Sequence, residues 1–167
     1  MSKRPAVTFQ GKPLTLVGEV PQVGQQAPDA ALLGNDLAQV RLSDFRGKVC
    51  VLTSVPSLDT PVCDAETRRF NQEAAALGPD VAVLAVSMDL PFAQGRWCGA
   101  AGVRAVRTLS DHRDAAFGQA YGVLIQELRL LARAVFLVDR RGMIRYVQVV
   151  PEITHEPDYA AALAAVR

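Results

Sequence analysis

The sequence predicts an α/β fold, a central mixed β-sheet flanked by helices, preceded by a short N-terminal β-hairpin. Three observations carry this. Val49 to Val55 and Val81 to Met88 are β-branched, nearly continuous apolar runs, the pattern of strands covered on both faces in a parallel sheet. Between them Pro61 to about Leu77 sets Val62, Ala65, Phe70, Ala74 and Leu77 mostly three or four residues apart, with Gly78-Pro79 as a stop, which predicts a helix. Further on, Ala134 to Asp139 and Ile144 to Val150 flank Arg140-Arg141-Gly142 and read as an antiparallel hairpin.

The other elements follow along the chain. Val7-Thr8-Phe9 and Leu14-Thr15-Leu16-Val17 flank Gln10-Gly11-Lys12-Pro13, which places the N-terminal hairpin within residues 1–18. Pro21 to Pro28 is a polar connector, and Gln39 to Leu42 is a short alternating strand before the turn at Asp44 to Lys48. After Met88, Asp89-Leu90-Pro91 is expected to cap a second helix that runs through Trp97 and Cys98 and stops by Gly102. Val106 to Leu109 reads as a short strand, Asp114 to Tyr121 as a short helix, and about Asp158 to Val166 as the final helix. No repeat interrupts the chain, so residues 1–167 read as one domain. A parallel βαβ unit followed by a hairpin and a terminal helix makes it a sandwich of thioredoxin-like type.

Composition narrows the function classes. Half the residues are hydrophobic, and 18 Lys+Arg against 17 Asp+Glu leave a net charge of +1, which argues against nucleic acid as a partner. The longest clean apolar runs, Val81 to Val86 and Ala134 to Val138, fall far short of the ~18 residues of a membrane span. No apolar stretch follows Met1-Ser2-Lys3-Arg4-Pro5, so no export signal is visible and the cytoplasm is the expected compartment. Cys50, Cys63 and Cys98 form no C-x-x-C, and His112 and His155 are too scattered to complete an obvious zinc site.

The most informative stretch is Pro56-Ser57-Leu58-Asp59-Thr60-Pro61-Val62-Cys63, because it ends a buried strand and opens a helix at the carboxyl edge of the sheet. Thr60 as N-cap and Pro61 as first helical residue put Cys63 in the first turn. There the free backbone N–H groups and the helix dipole stabilise a thiolate. A thiol of ordinary acidity is only ~3% ionised at pH 7, and making one mostly anionic takes about 3 kcal/mol. A helix end supplies roughly 0.3–1 kcal/mol, or ~2 when partly buried, so a nearby cation is needed, the more so because Asp59, Asp64 and Glu66 work against an anion.

Arg133, just before the strand Ala134 to Val138, is the candidate cation; on position alone it also reads as a charge marking a strand start. Thr60 serves as a cap, as a hydroxyl for the sulfur or a bound oxygen, or as both. Cys50, inside a core strand, reads as structural. Cys98 lies ~10 Å down its helix, so a disulfide with Cys63 requires local unwinding, which Gly95, Gly99 and Gly102 make easier; the alternative is a packed helix cysteine beside Trp97.

With these residues in view, the chain resembles the bacterial thiol peroxidase subfamily of the peroxiredoxins. The likeness rests on Pro-x-x-x-Thr-x-x-Cys at Pro56 to Cys63, and on Asp89 to Gln94, Cys98-Gly99-Ala100, Gln119 to Gly122, Ala132-Arg133-Ala134 and Glu152-Ile153-Thr154. It implies reduction of hydroperoxides with no metal, flavin or other cofactor. Cys63 would then be the peroxidatic cysteine, Thr60 and Arg133 would hold the peroxide, and Pro56 would shield the sulfur. Cys98 would be the resolving cysteine of an intrachain disulfide that a thioredoxin-like donor reduces, in a chain expected to form homodimers. A disulfide oxidoreductase shares the fold but usually carries C-x-x-C, a cysteine hydrolase needs a histidine base that neither histidine's context recommends, and a non-catalytic binding module predicts an unreactive Cys63.

Overall fold

The computed structural model describes residues 6–166; the first five residues of the expected 1–18 hairpin segment lie outside them. β1 (Val7–Phe9) and β2 (Lys12–Leu14) form the expected antiparallel hairpin, with Val7 opposite Leu14 and Phe9 opposite Lys12. β3 (Leu16–Val17) does not extend it, as the sequence had suggested, but leaves to pair with Leu124–Ile125. β4 (Ala31–Leu33) and β5 (Gln39–Arg41) follow, then a 3-10 turn over Leu42–Phe45. The strands of the βαβ unit are β6 (Val49–Ser54) and β7 (Val81–Ser87), joined by helix α1 (Pro61–Leu77). Beyond them come α2 (Pro91–Ala101), β8 (Val106–Ser110) and α3 (Ala116–Ala120). A small hairpin, β9 (Leu124–Ile125) and β10 (Leu130–Leu131), precedes β11 (Ala134–Val138), β12 (Ile144–Val149) and α4 (Tyr159–Ala164).

The main sheet runs β12-β11-β6-β7-β8-β4-β5. Its centre is parallel, β6 with β7 and β7 with β8, and its flanks are antiparallel. Alternate residues of the buried strands feed two separate cores. Val51, Val83, Val135 and Leu137 pack with Phe70 of α1 and Ala162 of α4 on one face. Leu52, Leu84, Leu109 and Phe136 pack with Phe117 and Tyr121 on the other. There the Phe117 and Tyr121 rings stack at 4.4 Å and both meet Phe136 edge-on, geometry worth roughly 0.5–1.5 kcal/mol per pair beyond the area buried.

Three strands escape the sequence pattern: β4 of the main sheet and the β9-β10 hairpin beside it are two or three residues long, too short for an alternation to register. Where β3 meets the β9-β10 hairpin, two glycines let the backbones cross closely. A Cβ on Gly18 (φ 88°) would fall 2.2 Å from the Gln119 carbonyl oxygen, and one on Gly122 (φ 69°) 2.4 Å from the Glu19 carbonyl carbon. Among the described residues no helix is long and apolar enough to cross a membrane.

Candidate active site

Beyond β6 the chain passes through buried Val55 and Pro56 into the turn that opens α1. Thr60 is the N-cap: its Oγ1 accepts the Cys63 backbone N–H at 3.2 Å and donates to the Ser57 carbonyl at 3.1 Å. Pro61 at the first helical position follows, and Cys63 falls in the first turn as expected. Its side chain is fully buried with Val55 and Leu58, and Trp97 packs against the group.

The Cys63 Sγ has a cation beside it. Ala134 of β11 pairs with Ser54 of β6, which brings Arg133 level with the start of the Val55–Thr60 loop. The Arg133 guanidinium, 1% exposed, donates from Nη2 to the Cys63 Sγ at 3.3 Å and to the Ile153 carbonyl at 2.8 Å, while Nε donates to the same carbonyl at 3.1 Å. Its remaining nitrogen, Nη1, lies 3.6 Å from Oε1 of Glu66, and neither atom has a hydrogen-bond partner. The other carboxylate oxygen, Oε2, accepts from Thr53 Oγ1 at 3.0 Å. Burial pushes the Glu66 carboxyl up to about 7, against the pull of the Arg133 charge and the Thr53 bond.

Glu66 thus shares Arg133 with the sulfur, a role beyond the anion-opposing carboxylate expected from sequence. The signal for it was present: Cys63, Glu66, Thr67 and Phe70 are the buried residues of α1, spaced three, four and seven along one helix face. A carboxylate at such a position needs a partner.

Helix α2 starts within Asp89-Leu90-Pro91 as expected, with Pro91 its first residue, but Asp89 supplies no side-chain cap. The N-cap is Leu90, and the Asp89 carboxylate turns the other way. It accepts from Ser57 Oγ at 2.7 Å, from the Leu58 N–H at 2.9 Å and from Ser87 Oγ at 2.7 Å, so it clasps the turn before Cys63 to the end of β7. A second tie links the helices: Asp64 of α1 accepts from Trp97 Nε1 and from Arg68 Nε, both at 2.9 Å, and Arg68 Nη1 reaches the Ala101 carbonyl at 3.4 Å.

Cys98 is not brought onto Cys63. Trp97 faces the Cys63 group, whereas the Cys98 Sγ lies 3.5 Å from Thr108 Oγ1 on β8. Cys98 sits in the last turn of α2, where its carbonyl accepts from Gly102 and Val103. All three cysteines are free thiols. Cys50 is buried in β6 and burial pushes its thiol up to about 11, in keeping with a structural residue. His155 is exposed and His112 half-buried, its N–H on Ser110 Oγ.

Chemically, the site pairs a thiol at a helix N-terminus with a buried guanidinium that has donors to spare. Such a guanidinium can stabilise negative charge that develops on an oxygen displaced beside the sulfur.

Comparison with known proteins points the same way. The Redoxin family model matches residues 22–163. The thiol peroxidase of Bacillus subtilis is 55% identical over 161 residues, covering 96% of each chain. The thiol peroxidase of Oceanobacillus iheyensis is 56% identical over 158 residues, 95% of this chain and 96% of that one. A crystal structure of a peroxiredoxin-like protein from Aquifex aeolicus superposes with a TM-score of 0.91 at 44% identity, covering 98% of this chain and 96% of the other. The chain therefore belongs to the Redoxin family, and within it to the thiol peroxidases, peroxiredoxin-type oxidoreductases with a thioredoxin-like fold.

Proposed function

We propose that this thiol peroxidase reduces hydrogen peroxide and organic hydroperoxides through Cys63 as the peroxidatic cysteine and Cys98 as the resolving one. The contact of Arg133 Nη2 with the Cys63 Sγ, at a helix N-terminus, supports this reading above all. The Cys63 thiolate attacks the terminal peroxide oxygen; the S–O bond forms, the O–O bond breaks, and the departing oxide takes a proton from solvent as water or alcohol. Arg133 holds the peroxide and the charge that develops on the leaving oxygen. The Thr60 hydroxyl, released from the Ser57 carbonyl, supplies a second donor, and Pro56 keeps water from the sulfur.

Cys98 then attacks the sulfenic sulfur, displacing its hydroxyl as water and leaving an intrachain disulfide. Because Cys98 rests on Thr108 in the reduced chain, this step needs the last turn of α2, the first of α1, or both to open. A thioredoxin-type dithiol reduces the disulfide and is oxidised in turn. The enzyme works as a single domain spanning residues 1–167, in the cytoplasm and as a homodimer, with antioxidant defence as the outcome.

The test is intact mass after one equivalent of hydrogen peroxide. Wild type loses two hydrogens, Cys98→Ser gains one oxygen, and Cys63→Ser does neither. Oxygen gained by Cys63→Ser would remove Cys63 from its role, and loss of two hydrogens in Cys98→Ser would remove Cys98 from its own.

A further inference from the structure

The guanidinium of Arg133 is aimed by a backbone atom. Two of its nitrogens donate to the Ile153 carbonyl, and the same Nη2 then reaches the Cys63 sulfur. Where Ile153 sits therefore sets where the charge points. Ile153 lies in no helix or strand; what fixes it is the N-terminal hairpin. The Ile153 N–H donates to the Thr8 carbonyl at 3.0 Å, and the Thr8 N–H donates to the Pro151 carbonyl at 2.7 Å, so β1 runs parallel to this segment.

Glu152 locks the arrangement. Its Oε1 accepts from Thr8 Oγ1 and from the Gly11 N–H of the hairpin turn, both at 2.9 Å. Its Oε2 accepts from the Thr154 N–H at 3.0 Å and from Thr154 Oγ1 at 2.7 Å. The Gly11 amide first, then the Thr154 hydroxyl, hold this carboxyl well below the usual carboxylate range. One ionised side chain thus carries four donors from either side of the carbonyl that Arg133 uses, although it touches neither Arg133 nor Cys63.

We infer that Glu152 and Thr8 are positioning residues for Arg133, acting through the Ile153 carbonyl, and that the N-terminal hairpin is a working part of the peroxide site. This rests on the reading of Arg133 as the group that holds sulfur and peroxide. Misplacing a catalytic group by ~1 Å costs up to ~100-fold in rate, and a partial loss of restraint less.

The experiment is single-turnover oxidation by hydrogen peroxide in a Cys98→Ser background, followed as oxygen gained by mass, well below the unfolding temperature. Arg133→Met slows oxidation, and Glu152→Gln slows it about tenfold. Thr8→Val, which loses the hydroxyl's bonds to the Glu152 carboxylate and the Pro151 carbonyl, slows it about threefold, and Thr8→Ser restores the wild-type rate. Combined with Arg133→Met, Glu152→Gln adds no further slowing, because the two act as one unit. A Glu152→Gln chain that melts earlier yet oxidises at the wild-type rate overturns the inference, as does equal slowing in both backgrounds. If Glu152→Gln does not fold, Thr8→Val is judged on the same criteria. Should Arg133→Met itself oxidise at the wild-type rate, the role of Arg133 falls and takes this inference with it; slowing by Arg133→Met alone leaves that role standing and overturns only the inference.

Discussion

Glu66→Gln tests the electrostatics of the site directly. An ordinary glutamate ionises near 4.5, and burial pushes Glu66 up to about 7, so between those values the folded chain holds a proton that the unfolded chain has released. The stability associated with that proton is fully present below about pH 4.5 and is lost as pH rises through about 7. At ~1.36 kcal/mol per pH unit the loss comes to about 3 kcal/mol. Glutamine keeps the shape of the protonated acid and does not titrate. Its carbonyl oxygen is expected to face Arg133 and its amide to donate to Thr53. Urea unfolding of both chains at about pH 4 and about pH 8 should show them close in stability in acid and the Gln variant ahead by about 3 kcal/mol in base. Parallel pH profiles would refute the reasoning. A wild type that gains on the variant as pH rises would mean that the Arg133 charge outweighs desolvation and that Glu66 ionises more readily than an exposed glutamate.

Three further substitutions probe the clasp before Cys63 and the packing of two glycines. Asp89→Ala leaves the Leu58 N–H and the Ser57 and Ser87 hydroxyls without their acceptor; it should cost about 1–3 kcal/mol and, by loosening the turn before Cys63, speed disulfide formation relative to sulfenic acid formation. Stopped-flow fluorescence reads both steps, since Trp97 is the only tryptophan and packs on the Cys63 group; unchanged kinetics would show that the clasp does not restrain the opening. Gly122→Ala drives a Cβ into the Glu19–Val20 backbone at a left-handed φ and should lower Tm by about 5 °C or more, whereas Gly99→Ala, with open space around a helical glycine, should raise it slightly. Equal effects at the two sites would refute the close crossing.

The sheet strands and the place of Cys63 in the first turn of α1 were readable from sequence because both follow from local rules. Continuous β-branched runs need cover on both faces, and a Thr-Pro pair starting a helix sets Cys63 in its first turn. Local rules failed where a distant group competed for the same atom. Asp89 has the sequence context of a helix cap, yet the Ser57 hydroxyl and the Leu58 amide, some thirty residues earlier, take its carboxylate. The Ile153 carbonyl left no trace at all, since every residue carries a backbone acceptor.

Arg133 stands between these cases. Its strand and that of the Val55–Thr60 loop are both plain in the sequence, and the missing information is that β11 pairs with β6, antiparallel, with Ala134 opposite Ser54. Once that register is known, little freedom is left: the residue before β11 must come beside the residue after β6, and a guanidinium there can reach the first turn of the helix that follows. A slip of one residue would send Arg133 to the opposite face of the sheet, away from α1 and toward the Phe117 core. The site is therefore encoded in the pairing of two strands about eighty residues apart, a contact that leaves no local trace in the sequence and whose loop-closure entropy must be met before it forms.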